Sequence, residues 1–371
     1  MKRILSLDGG GIRGVFSLQI LAKIEELFRQ ERDDDDLVLA DVFDLIAGTS
    51  TGAIIATSLS WGLPVLEIER LYIDQSPAMF ARGTWAQQWK SKYKPEAIAQ
   101  LFRERLIEDD GTPALLGTNK LRTLLLIVTR NGSTGGAWPV TNNKKAIFND
   151  RSRPECNLNF PLWQLLRAST AAPTFFPPEE ISLAGNVHLF MDGAMTPYNN
   201  PALIAVLTAT LPHYQINWPA SRHLLHVVSV GTGLVRARMP KAASDVNLLD
   251  HLRYIAPALI GSIGWEQDFL CRVMGDCVHG APLDSEIGAL EAPSLLDQGE
   301  QKFTYARYDK PLDATDRRLQ RLGGGTIALD DLSLIPLLQE LGTEYAHDHV
   351  RREHLYPRSS NFPPCPCSTT M

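Results

Sequence analysis

Apolar residues recur along the first two thirds of the chain in two alternating rhythms. Short, nearly continuous apolar runs at 3–7, 43–47, 122–129, 187–191 and 223–230 predict strands. Leu124 to Val128 is aliphatic without interruption, as in a strand covered on both faces. Between these runs the spacing becomes helical. Residues 15–29 carry Phe16, Ile20, Ile24, Leu27 and Phe28 on one face, and 53–61, 160–169 and 200–211 read as further helices. Strands alternating with helices predict an α/β fold, with a mainly parallel central sheet and helices on both faces. From about Met239 the rhythm changes. Residues 248–263, 265–274 and 332–354 predict helices, with polar loops between them that include Gly323, Gly324 and Gly325.

These patterns predict one domain over 1–358, with a core at 3–233 and a helical cap or extension at about 239–358. Residues 359–371 are rich in Pro, Ser and Cys and read as a disordered tail. The longest uncharged window, 45–66, is long enough to cross a bilayer. Its glycines, hydroxyls and Pro64 instead fit a strand, a tight turn and a helix. The apolar stretch at the N-terminus ends at Asp8, too soon for a signal-peptide core. A cytoplasmic protein is therefore expected.

Composition narrows the function classes. The 371 residues are 44% hydrophobic and 21% charged, as in an ordinary globular chain. The net charge of −6 argues against wrapping duplex nucleic acid. Five cysteines with no repeating spacing (Cys156, Cys271, Cys277, Cys365 and Cys367) argue against a disulfide framework, and Cys365-x-Cys367 has no second ligand pair for a metal.

Two strand ends carry candidate chemistry. Asp8-Gly9-Gly10-Gly11-Ile12-Arg13-Gly14 lies between a predicted strand and a helix. Successive glycines there can turn backbone N–H groups toward an anion. Gly9, Gly11 and Gly14 also fit the dinucleotide-binding spacing, with the acidic run 33–36 near the distance for a ribose-binding acid. A dinucleotide-binding oxidoreductase is the rival this loop keeps open. Gly48-Thr49-Ser50-Thr51-Gly52 matches a turn that lifts a serine hydroxyl above a sheet edge, the flanking glycines removing side chains that would clash. A nucleophilic serine needs a base. His213, His223 and His226 follow Asp192 in the chain order of a Ser…Asp…His triad, but none sits in a motif. Asp192 does, in Met191-Asp192-Gly193-Ala194 after a predicted strand, with Asn199-Asn200-Pro201 opening the next helix. An aspartate in an apolar site can accept a proton directly. Asp8, Ser50 and Asp192 all follow predicted strands and are placed to converge on one sheet edge.

Together with Ala168-Ser169-Thr170-Ala171-Ala172-Pro173-Thr174-Phe175-Phe176-Pro177-Pro178 and Ser229-Val230-Gly231-Thr232-Gly233, these blocks resemble the patatin-like phospholipase family. The resemblance spans about 3–233. It implies a three-layer sandwich and a lipid acyl hydrolase, with Ser50 as nucleophile and Asp192 as base. Gly9, Gly10 and Gly11 would form the oxyanion hole. Gly48, Gly52 and Gly193 would support the turns, and Arg13 would orient the glycine loop or meet a lipid phosphate. No histidine, metal or cofactor is implied. The implied substrate is membrane phospholipid, met by transient contact at the inner face of the membrane. Met79, Phe80, Trp85, Trp89 and Tyr93, interleaved with Arg82, Lys90, Lys92 and Lys94, form a candidate interfacial stretch. Some bacterial members resembling this chain are effectors of anti-phage defence, switched on by a cyclic oligonucleotide, which makes such an activator an expected partner. A constitutive housekeeping lipase and a secreted toxin are the alternatives.

Overall fold

Nine strands form one sheet in the computed structural model. It describes residues 1–79, 93, 96–235, 246–284, 286–288, 296, 300–312, 318–319 and 329–356. The strands are β1 (Lys2–Leu7), β2 (Leu45–Thr49), β3 (Leu124–Asn131), β4 (Ala137–Thr141), β5 (Glu179–Leu183), β6 (Asn186–Asp192), β7 (Leu225–Val230), β8 (Asp276–His279) and β9 (Thr304–Tyr308). Their order is β5-β6-β3-β2-β1-β7-β9-β8, with β4 also paired to β3. The run from β3 through β8 is parallel, whereas β4, β5 and β6 pair antiparallel. The mainly parallel α/β sheet expected from the sequence is what forms.

Helices cover both faces. On one side lie α1 (Gly14–Arg32), α2 (Thr51–Ser60), α3 (Val65–Met79), α5 (Leu162–Ser169) and α8 (Ile335–His349), packing on Leu5, Leu7, Ile46 and Ile127. α4 (Glu96–Arg105) also adds Phe102 to this layer. On the other side α6 (Ala202–Thr210) and α7 (Leu248–Met274) meet Ile4, Leu45, Leu126 and Val227. The alternation of Ile4 and Leu5 between the two layers follows from the two-residue period of a strand. Every residue of β2, β7 and β9 is buried, as in strands covered by helices on both faces.

The structure departs from the sequence reading in the C-terminal part. Residues 248–263 and 265–274 form one helix, α7, because Gly264 costs only about 1 kcal/mol inside a helix and does not break it. Residues 332–354 form a short 3-10 turn, then α8, then a separate turn of helix at Arg352–Leu355. Besides its helices, this part contributes β8 and β9, which extend the sheet beyond β7. The window 45–66 holds β2 and α2, and no helix among the described residues is long and apolar enough to cross a membrane. Gly323 to Gly325 and the tail 359–371 lie outside the described residues.

Candidate active site

Strand register brings the serine and the aspartate together. Thr49, the last residue of β2, stands opposite Val128 of β3, and Asp192, the last of β6, stands opposite the next residue, Thr129. β3 therefore sets the end of one strand beside the end of the other. Ser50 follows Thr49 with φ 54° and ψ −123°, a conformation sparsely populated by residues other than glycine. Its N–H donates to Ser169 Oγ at 2.9 Å, and that hydroxyl donates to the Val128 carbonyl at 2.7 Å. α5 thus holds the strained turn through Ser169. Gly52 permits the turn to approach β1, since a Cβ there would lie 2.2 Å from the Leu7 carbonyl. Gly48 and Gly193 are pressed equally close, to the Gly52 and Val128 carbonyls.

The Ser50 hydroxyl donates to Asp192 Oδ2 at 2.7 Å. The other oxygen, Oδ1, accepts the Ala194 N–H at 2.8 Å, and the Asp192 N–H donates to Ala171. Burial pushes the Asp192 carboxyl up to about 6, against the pull of the Ala194 N–H, the Ser50 hydroxyl and Arg167. It is then a proton acceptor at neutral pH with more affinity for a proton than a surface aspartate. The three candidate histidines are elsewhere. His226 is buried opposite Arg3, at the far end of β1 from Asp8, and burial holds its imidazole down at about 3. His213 and His223 are exposed.

A model of the patatin-like phospholipase family matches residues 5–206, more than half of the chain. The chain belongs to that family. It is 30% identical over 233 residues to the cGAMP-activated phospholipase of Escherichia coli (strain TW11681), covering 62% of each chain. It is 32% identical over 243 residues to the calcium-independent phospholipase A2-gamma of Oryctolagus cuniculus, covering 62% of this chain and 28% of that one. It is 29% identical over 250 residues to patatin-like protein 4 of Arabidopsis thaliana, covering 62% and 59%. The match thus spans less than two thirds of each of these relatives. Among solved structures, VipD from Legionella pneumophila aligns with 94% of this chain and 67% of its own at a TM-score of 0.40 and 12% identity, a likeness too loose to bear on function.

The glycine loop of this patatin-like chain differs in one respect from the expected oxyanion hole. The Gly9 N–H donates to the Asn199 carbonyl at 3.1 Å, so that donor is spent. The N–H groups of Gly10 and Gly11 have no acceptor among the described residues. Gly11 has φ +57°, and a Cβ there would lie 2.4 Å from the Leu329 carbonyl; a Cβ on Gly10 would strike Thr232. Tyr72 donates to the Gly11 carbonyl at 2.6 Å, and Thr232 to that of Gly9 at 3.2 Å. Arg13 turns inward: its Nε donates to Gly10 and its Nη1 to Gly233, so it orients the loop. The rival reading as a dinucleotide site fails on placement. Asn199, Thr232 and Leu329 crowd the glycines, and 33–36 follow the far end of α1, at the opposite sheet edge from the loop.

One participant had no signal in the sequence. Arg307 of β9 donates to both oxygens of Asp8, at 2.8 and 2.6 Å, and also to Ser229 and to Asp309. Asp8, the residue before the glycines, and Arg307 are both buried. Burial raises the Asp8 carboxyl to about 6 while Arg307 pulls it back, and Asp309 is raised for the same cause. The glycine loop is therefore moored to the C-terminal part. Of the candidate interfacial stretch, Met79 and Tyr93 are buried, Tyr93 against Phe175 and Phe176 and bonded to Asp330. Phe80, Arg82, Trp85, Trp89, Lys90, Lys92 and Lys94 lie outside the described residues.

Proposed function

We propose that this protein is a lipid acyl hydrolase of the phospholipase A type, which cleaves ester bonds of membrane phospholipids through Ser50 and Asp192. The observation that carries the reading is the 2.7 Å hydrogen bond from a serine on a strained strand-to-helix turn to a buried aspartate. Asp192 accepts the hydroxyl proton as Ser50 Oγ attacks the ester carbonyl carbon. The oxyanion is met by the N–H groups of Gly10 and Gly11, the two loop donors that no acceptor among the described residues occupies. Collapse breaks the ester bond, and the leaving lysophospholipid alkoxide takes the proton from Asp192. Water, deprotonated by Asp192, then attacks the acyl-enzyme carbonyl; the acyl–Ser50 bond breaks, Asp192 returns the proton to Ser50 Oγ, and the fatty acid is freed. Ser50, Asp192 and the glycine loop suffice for these steps.

Membrane contact in this reading is transient and at the cytoplasmic face. Regulation by a cyclic oligonucleotide is supported by the similarity to a cGAMP-activated relative. An ungated phospholipase would attack the membranes of its own cell, and a gated one suits anti-phage defence. The test is fatty-acid release from phospholipid vesicles, with and without cGAMP. Ser50→Ala and Asp192→Asn are each expected to abolish release while leaving the thermal unfolding transition cooperative. Release by either variant at the native rate sinks the dyad, and native release without any nucleotide removes the gating.

A further inference from the structure

At the amino end of β3, residues 142–153 leave β4 and line a groove of about 730 Å³. Ser50 follows Thr49, which stands opposite Val128 in the carboxyl half of β3, so the groove is separate from the dyad. Four cations line it (Lys144, Lys145, Arg151 and Arg153) against a single carboxylate, Asp150. Asp150 is engaged by the Ser152 N–H and hydroxyl, which hold it below the usual carboxylate range. Arg153 reaches toward Glu155 at 3.6 Å, whereas Lys144, Lys145 and Arg151 have no ion-pair partner among the described residues. In a chain of net charge −6, such a concentration of unneutralised cations suits a ligand carrying several negative charges.

A second observation refines the ligand. Asn149 lines the same groove and is 2% exposed. Its Nδ2 donates to the Thr141 and Asn143 carbonyls, both at 2.6 Å, which fixes the amide orientation. Its Oδ1 is left buried with no donor. The phosphodiester groups of a nucleotide have no hydrogen to give that oxygen, whereas its base has an N–H. Ile147, which is exposed, adds apolar surface for the face of a base. The volume lies within the usual range for small-molecule sites.

We propose that this groove binds a phosphate-bearing nucleotide of cyclic-dinucleotide size, with its phosphates on Lys145 and Arg151 and a base N–H on Asn149 Oδ1. Binding there has a route to the dyad. Asn142, at the edge of the same loop, accepts the Leu125 N–H and donates to the Thr123 carbonyl, so the loop is tied to the start of β3. β3 is the strand that sets Ser50 beside Asp192. That consequence rests on the hydrolase reading; the binding does not.

The test is calorimetric titration of the full chain with cGAMP and, separately, with inorganic phosphate, for the native protein and for Lys145→Glu/Arg151→Glu. Both substituted side chains are exposed and remote from the dyad. Removing either cation is expected to weaken cGAMP binding by about tenfold or more, and the double variant by about a hundredfold. Inorganic phosphate is expected to bind at least about a hundredfold more weakly than cGAMP to the native chain, having no base to place. The double variant is expected to lose the vesicle hydrolysis that cGAMP switches on in the native chain, while its thermal unfolding stays cooperative. Undiminished cGAMP binding in the double variant, phosphate binding as tight as cGAMP, or no cGAMP binding by the native chain each overturns the proposal. So does a double variant that loses adhesion to phosphatidylserine vesicles while no nucleotide binds, since the cations would then serve a lipid surface. Charge-dependent nucleotide binding in a chain that hydrolyses no lipid leaves the site standing and removes the hydrolase reading.

Discussion

Asp192 has its proton affinity raised by burial and its two oxygens divided between Ser50 and the Ala194 N–H. A base must be unprotonated to accept the serine proton, so hydrolysis is expected to fall as pH drops through about 6. A kcat/KM profile measured across the acid and neutral range checks this. Its sign for stability is the reverse. A carboxyl raised from 3.8 to about 6 binds its proton more tightly in the native state, so its contribution favours the fold as pH falls across that window. The glycine loop offers a second residue-scale test. In Gly10→Ala the new methyl strikes Thr232 and must shift the loop. Displacing one oxyanion donor typically costs about a hundred- to thousandfold in kcat, with KM little changed. Steady-state kinetics on a soluble ester separate the two parameters.

Among the elements, β9 has a role its sequence conceals. Its residues Thr304–Tyr308 are a short run with an arginine inside, and nothing local marks that arginine as the counter-ion of Asp8, 299 positions away. Arg307→Gln leaves Asp8 and Asp309 facing each other in a buried site. Breaking a buried ion pair on one side costs about 3–5 kcal/mol, so chemical denaturation is expected to show a loss of that size. Because Asp8 precedes the glycines, kcat is expected to fall more than KM rises. Arg307→Lys, which restores charge but not the two-pronged geometry, is expected to recover part of the stability and less of the rate. Equal recovery of both would reduce Arg307 to a stabilising ion pair. α5 works the same way at closer range. Ser169 was legible only as part of a motif, and the structure shows it receiving the Ser50 N–H.

For the whole molecule, the C-terminal part is structural to the site. A chain ending after Gly233 would lose β9, leaving one edge of β7 unpaired and Asp8 buried without its cation. Such a truncation is expected to be insoluble or inactive, measured by size-exclusion chromatography and vesicle hydrolysis, although it retains every motif block. The sequence by itself determined the α/β class, the strands that carry Asp8, Ser50 and Asp192, and the two sharp glycine turns. Each of these is written in local signals: apolar period, glycine placement and strand-to-helix junctions. Tertiary structure decided which partners those residues keep. The register of β3 against β2 and β6 sets the serine beside the aspartate; the Asn199 carbonyl takes the Gly9 N–H; Arg307 reaches Asp8. Hydrogen bonds and ion pairs across such separations depend on how the layers close. One short strand or one arginine carries no local mark of what it will meet there.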